Sequence, residues 1–290
     1  MDTTASPQAS QEIAGLDAVE DCARIAFLLS SQLFPLTIEK ALEYALFKTF
    51  AVPSISKILA GTREFSDRGQ KRYDDTVLVL AEITEGGHCG MRSQAAYARL
   101  NDMHGRFKIR DEDFLYTLGT FIFEPIRALK LYGPRPMTPH EEEAWFQSYL
   151  RLGRGMKLKG LPAEKDAFYA WYLDFEKTQF RPSDSNRTVA DATMDVLFDM
   201  LSVPQGLRGI ARKVAISLME PHVAEAFEYD RPSPLMAGAV SAGMSARRLV
   251  LALLPERRTL RLQTRRKLPT YPHGYEIDAL GTFVCPHAAE

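Results

Sequence analysis

The chain lacks the features that mark export, metal sites or a bilayer span. Cysteine is scarce: Cys22, Cys89 and Cys285 are odd in number, far apart and in no metal-ligand spacing, so a disulfide framework and a structural zinc site drop out. Reduced thiols in an intracellular compartment fit that usage. An excess of one charge is missing too. The 36 Lys and Arg against 37 Asp and Glu leave a formal net charge of -1, which provides no global field toward a polyanion and argues against a nucleic-acid partner. Long apolar runs are absent. The best early candidate, residues 25–38, is interrupted by Ser30, Ser31, Gln32 and Pro35, where a span needs about 20 mostly apolar residues. Residues 1–20 are acidic and polar and do not have the basic start of a signal peptide. They are expected to form a flexible tail, and the expected residence is cytoplasmic.

Helical periodicity is abundant. Hydrophobic residues make up 46% and charged residues 25% of the 290, the composition of a globular protein, while alternating strand patterns are nearly absent. One all-α domain is expected over residues 21–268, followed by a Pro- and Gly-rich loop tail over 269–290. Two helical segments separated by Pro53 are expected within 37–60. Further helices are expected over 72–85 (stopped by Gly86 and Gly87), 93–107, 111–132, 163–179, 186–201 (after an N-cap at Ser185), 207–219 and 235–254. Thr138, Pro139 and Glu141 form a capping signature for a helix running to about residue 152. The 111–132 helix is apolar nearly all round, so it is the expected spine.

Residues three and four apart stack on a helix. Arg72, Asp75, Thr76, Val79 and Ile83 therefore share one face, and Tyr97, Leu100, Asn101 and His104 form a stripe on the next helix, with Arg99, Asp102 and Arg106 pointing elsewhere. No phosphate-binding loop, dinucleotide glycine pattern, His-Glu-x-x-His or nucleophile elbow is present. The chemistry that remains is this face and this stripe. A neutral imidazole opposite polar groups is a common way to hold haem iron. The plainer alternative is a core histidine satisfied by a backbone carbonyl, with Arg72 and Asp75 as an intrahelical ion pair. Glu124, on the otherwise apolar helix, needs a partner: either Arg127 or the second ring nitrogen of His104. His88, Cys89, His140 and His222 read as surface or turn positions, and His273 as part of a structural loop.

The stretch 47–180 resembles the family that contains the rubber oxygenases (latex-clearing proteins) and the MpaB-type side-chain oxygenases of meroterpenoid pathways. Four segments carry the likeness: Arg72-Tyr-Asp-Asp75-Thr76; Arg99-Leu-Asn-Asp-Met-His104; the run from Asp113 to Arg127 with its Phe-Glu124-Pro125-Ile; and Tyr271-Pro-His-Gly-Tyr275. The resemblance implies an all-α fold enclosing a haem-sized apolar pocket, with haem b as cofactor. The rubber oxygenases carry Arg-x-x-Lys-Thr and, about thirty residues later, a haem-ligating histidine. Arg72 and Thr76 fall on that pattern, and His104, 28 residues beyond Thr76, is the implied iron ligand. Two positions depart from it. Asp75 replaces the lysine, and Ser54 and Ser56 stand where a glutamate is expected; the MpaB-type branch is the nearer likeness, since Arg72-Tyr-Asp-Asp-Thr76 and Phe123-Glu-Pro-Ile-Arg127 look like its versions of these segments.

The implied activity is O2-dependent oxygenation of a hydrophobic small molecule, a prenylated or polyketide-type intermediate. Arg72 is then the donor to dioxygen, Asp75 the proton carrier and Thr76 its support. Glu124 joins His104, Arg72 and Thr76 as a candidate cofactor-binding residue. Asn186 and Arg187 are read either as a propionate clamp or as an ordinary helix start. Two rivals stand beside this reading: a cofactor-free dehydratase or cyclase with Asp75 as general base, and a non-enzymatic protein that holds a lipophilic ligand. Residues 247–267 carry eight basic side chains against the single acid Glu256. Interleaved with leucines, they are a candidate for peripheral contact with an anionic intracellular membrane, or simply a solvated face.

Overall fold

The apolar periods of the sequence become helices throughout the computed structural model, which describes residues 8–281. Cys285 lies outside the described residues. The fold is all-α, with fourteen α-helices and no strand among the described residues. The chain opens with α1 (Ala9–Ala14) and α2 (Cys22–Leu28), and a π-helical turn, Leu29–Leu33, leads into α3 (Pro35–Thr49). Pro53 then starts α4 (Pro53–Thr62); at a first turn its missing N–H leaves no helical bond unmade. A single turn, α5 (Glu64–Asp67), precedes α6 (Gly69–Glu85) and α7 (Met91–Gly105), which pack side by side.

The spine is α8 (Asp111–Tyr132), and α3 makes its largest interface with it. Thr138 caps α9 (Pro139–Gly155) through the expected box: its hydroxyl accepts from the Glu141 amide at 3.2 Å, and the Glu141 carboxylate accepts from the Thr138 amide at 2.8 Å. The remaining helices are α10 (Lys165–Gln179), α11 (Asp184–Met200), α12 (Arg208–Leu218), α13 (Pro221–Ala226) and α14 (Pro234–Leu253). The N-cap expected at Ser185 falls inside α11. Its hydroxyl bonds Ser56 and Ser183 instead.

Pro125 sits inside α8 without ending it. Proline lacks the N–H that should bond the carbonyl of Phe121, and the Trp145 indole N–H from α9 donates to that carbonyl at 3.2 Å. The packing partner thus satisfies the group the proline leaves unpaired.

Both ends of the chain depart from the expected tails. Ala9 and Ile13 of α1 are buried, so the part of residues 1–20 that is described packs on the domain. Between Leu268 and Gly281 the chain has no α-helix, only a short turn at Ile277–Ala279, and it is anchored across α6 and α7. Tyr271 and Tyr275 reach Asp75 and Glu82, and the backbone carbonyl of Leu280 accepts from Arg99 at 2.7 Å. Gly274, at φ +100°, turns the backbone in a conformation that other residues rarely adopt, between the two tyrosines. Arg99, off the His104 stripe as expected from spacing, is buried beneath this tail.

No single helix among the described residues is long and apolar enough to cross a membrane. The pair Cys22–Leu33 and Pro35–Thr49 reaches the required length and composition only together, and it bends by 108°. Its apolar residues Ile25, Leu28, Leu29, Ile38 and Ala45 are spent in the core.

Candidate active site

Arg72, Asp75 and Thr76 on α6 and Leu100 and His104 of the α7 stripe line one cavity of about 200 Å³, while Tyr97 and Asn101 of that stripe bond His88 and the Gly155 carbonyl instead. Ile55, Ile58 and Leu59 of α4 and Phe114, Thr117 and Leu118 of α8 supply much of its apolar wall. The His104 ring accepts or donates no hydrogen bond among the described residues; its aromatic neighbour is Phe114, with ring centroids 5.1 Å apart. Burial, reinforced by the positive charge of Arg72, lowers its pKa to about 4, so the imidazole is neutral at physiological pH. The backbone-carbonyl partner of the plainer alternative is not formed.

Arg72 does not pair with Asp75. Its guanidinium donates to the Thr76 hydroxyl and lies over the Phe65 ring at 5.4 Å. Burial lowers its pKa from the ordinary arginine value, against the pull of Asp75 and Glu64. Asp75 is buried, and both its oxygens are engaged: Lys71 Nζ reaches one at 2.6 Å, and the Tyr271 hydroxyl donates to the other at 2.5 Å. The intrahelical pair is therefore Lys71 with Asp75, one turn apart. Tyr271 and Lys71 are the site residues missed in the sequence reading. The only sequence signal for Tyr271 was its place in the Tyr-Pro-His-Gly-Tyr segment.

Of the two partners weighed for Glu124, His104 is not bonded to it among the described residues. One carboxylate oxygen accepts from Lys48 Nζ at 2.8 Å and from the Tyr172 hydroxyl at 3.0 Å, and the other from Arg127 Nε at 2.9 Å. The Arg127 alternative holds, within a larger buried cluster. Lys48 also meets Glu176 at 2.8 Å and Glu220 at 3.1 Å. Burial alone would lower the Lys48 pKa, but the three carboxylates outweigh it and raise it. Arg127 lies one turn along α8, which is otherwise apolar at this level, and the remaining cation comes from Lys48 on α3. His222, read as a turn residue, binds Glu176 at 2.8 Å from the rim of this cluster.

Ser56 and Ser54 do not reach the cavity wall. Ser56 is fully buried, and its hydroxyl donates to Asn186 Oδ1 at 2.6 Å, while Ser54 accepts from Arg110 at 3.0 Å. Asn186 is a structural hub, its amide shared among the carbonyls of Ala51, Arg181 and Ala226. His88 is a correction. It is 6% exposed rather than on the surface, and its ring bonds the Tyr97 hydroxyl at 2.7 Å and Ser148 at 3.1 Å.

No group of three or more His, Cys, Asp or Glu among the described residues is arranged as a metal-ligand set. A haem brings most of its iron's donors with it, so one protein side chain would suffice to hold it. The donor set fits that requirement: one neutral, otherwise unbonded imidazole facing an apolar cavity, with a guanidinium and a hydroxyl on the same cavity's wall.

The fold and this constellation define a helical protein with an apolar cavity lined by one histidine. Residues 45–253 match the family described as ER-bound oxygenase mpaB/B'/rubber oxygenase, catalytic domain, and the chain belongs to that family. It is 28% identical over 251 residues to ER-bound oxygenase mpaB' of Penicillium brevicompactum, covering 79% of this chain and 59% of that protein. Likeness to ER-bound oxygenase mpaB of Penicillium roqueforti is 28% over 214 residues, covering 68% and 71%. With the mpaB of Penicillium brevicompactum it is 29% over 194 residues, covering 59% and 50%. The chain thus spans about half to seven-tenths of the length of these relatives.

Proposed function

We propose that this chain is a haem-b-dependent oxygenase that uses O2 on a hydrophobic small molecule, of the class of prenylated or polyketide-type intermediates. The observation that carries the reading is His104, a neutral imidazole with no hydrogen-bond partner among the described residues, turned into the cavity that Arg72, Asp75 and Thr76 also line. The names of its relatives support the reaction class. In this reading His104 holds the iron, and bound haem supplies the redox chemistry that activates dioxygen. Thr76 and the Phe65 ring fix Arg72, so its donors are oriented before substrate arrives. Asp75 moves a proton between the cavity and its two proton-bearing partners, Tyr271 and Lys71. The apolar wall excludes water and selects hydrocarbon.

The test is the absorption spectrum of protein made with ample haem. A near-stoichiometric Soret band is expected, lost in His104→Ala together with O2 uptake. Haem-free and iron-free protein would overturn the reading; if it then turned over an intermediate and Asp75→Ala abolished that turnover, the acid-base catalyst would take its place.

A second element of the proposal is peripheral membrane contact. None of the residues of α14 is buried, and Leu235, Leu249, Val250 and Leu253 are all exposed. Arg257, Arg258, Arg265 and Lys267 lie exposed in the segment that follows. Arg261 and Arg266 are turned onto Glu39 at 3.1 and 2.9 Å, so the basic face is narrower than the sequence suggests.

A further inference from the structure

Tyr97 belongs by spacing to the His104 stripe, yet its hydroxyl turns from the cavity and lies 2.7 Å from His88 Nδ1. Across the imidazole, His88 Nε2 is 3.1 Å from the Ser148 hydroxyl of α9. The two lengths assign the roles, since O–H donors sit closer to their acceptors than N–H donors do. Tyr97 donates to Nδ1, and Nε2–H donates to Ser148. Burial, with Arg151 nearby, lowers the His88 pKa to about 4, so the ring is a neutral proton acceptor at physiological pH.

The fold makes room for this contact. A Cβ on Gly155 would lie 2.3 Å from the Tyr97 ring, so α9 gives up a side chain to admit it. His88 holds φ at +67°, a region that residues with side chains rarely adopt. Every other tyrosine hydroxyl that bonds a side chain among the described residues donates to a carboxylate, and each of those carboxylates is also paired with a lysine or arginine. A paired cation keeps a carboxylate charged and lowers its basicity. Tyr97 therefore stands apart: its acceptor is an imidazole, and no cation is bonded to that ring. Tyr97 also precedes His104 by two turns of α7, about 10 Å along the helix axis.

We propose that Tyr97 and His88 form a redox pair that releases one electron together with one proton, and that Tyr97 is a one-electron donor to the His104 site. The coupling to His104 rests on the oxygenase reading; the pair itself does not. In the step the Tyr97 O–H bond breaks, its proton forms an N–H bond at His88 Nδ1, and one electron leaves the phenol ring for a one-electron oxidant, which is thereby reduced. The products are a neutral tyrosyl radical and an imidazolium whose Nε2–H stays on Ser148. A phenol that has lost an electron is a strong acid, so even an imidazole of lowered basicity takes the proton. One electron from a reductant, with return of the proton, restores the pair. Under the oxygenase reading the oxidant is the haem site after it has met O2.

The test oxidises the full chain, with or without haem, by a photogenerated ruthenium(III) tris-bipyridine complex and reads the electron paramagnetic resonance spectrum of the frozen sample. Freezing after a delay lets exposed radicals couple and leaves buried ones. A persistent tyrosyl signal is expected, and Tyr97→Phe should remove it. His88→Gln and His88→Gly, the second suited to the φ of +67°, should remove it as well. Tyr149→Phe should leave it unchanged, because that buried phenol has no hydrogen-bonded base among the described residues. Urea midpoints select the variants that fold like the parent. No persistent signal in the parent, a signal retained in folded Tyr97→Phe or in a folded His88 variant, or its loss in folded Tyr149→Phe would each overturn the pair. Hydrogen peroxide added to haem-loaded protein should raise the same Tyr97-dependent signal, and its absence there overturns the coupling to His104. A Tyr97-dependent signal from the ruthenium oxidant in protein that takes up no haem sinks the oxygenase reading alone.

Discussion

His88 illustrates how a single ring can be governed by packing that its neighbours in sequence do not announce. Between Gly87 and Cys89 it looks like a loop residue, yet its ring is enclosed by Tyr97 of α7 and Ser148 of α9. Burial, with Arg151 nearby, pushes its pKa down to about 4 from an ordinary 6.5. Below pH 6.5 the unfolded chain therefore binds a proton that the folded ring refuses until about pH 4, and stability falls as pH drops through that window. For this one group the loss between pH 7.5 and pH 5 is about 2 kcal/mol. Urea unfolding of His88→Gln at the two pH values should show a drop smaller than the parent's by about that amount. Equal drops in the two proteins would show that the ring is free to protonate. Asp75 teaches the same lesson with opposite charge. Its helical face was legible from spacing, but Tyr271, 196 residues away, was not.

At the scale of elements, the sequence was most informative where the relevant bonds are local. The bounds of α8 agree with the 111–132 period, and the α9 cap follows from residues three apart, because both depend on side chains within one turn of one another. Helix starts were less accurate. Both α6 and α7 begin a few residues earlier than expected, since neither start carries a side-chain cap to mark it. The way α3 meets α8 was not legible at all. Lys48 joins Glu124, Glu176 and Glu220, the last of them 172 residues distant. Replacing the lysine would leave the buried carboxylates short of a cation. Lys48→Met is expected to cost about 3–5 kcal/mol, the scale for breaking a buried pair from one side, read as a lowered urea midpoint. Restoration of that midpoint by adding Glu124→Gln would show that the penalty is the stranded charge; a loss of less than about 1 kcal/mol in Lys48→Met would mean that the cluster is hydrated.

For the whole molecule, the exposed surface of α14 is where the proposed membrane contact is tested. In that proposal its exposed leucines supply apolar insertion and the basic side chains after it attraction to anionic headgroups. Co-sedimentation with vesicles containing phosphatidylserine should fall as salt rises from 50 to 500 mM, because the Debye length shrinks well below about 10 Å over that range. Leu249→Asp together with Leu253→Asp should abolish binding even at low salt. Binding that survived both the salt and the double substitution would place the contact on another face.

Composition, periodicity and capping sufficed to determine an all-α chain, the places of most of its helices, and the sharing of one helical face by Arg72, Asp75 and Thr76. These properties arise from interactions within about four residues, where the backbone geometry of a helix dictates the neighbours. Tertiary structure alone decided that His104 meets this face across an apolar space, that Glu124 belongs to Lys48 rather than to His104, and that Tyr97 meets His88 instead of the cavity. A buried charge takes whichever partner the packed helices bring within reach, and a cavity is the space those helices leave unfilled; neither is a property of any one segment.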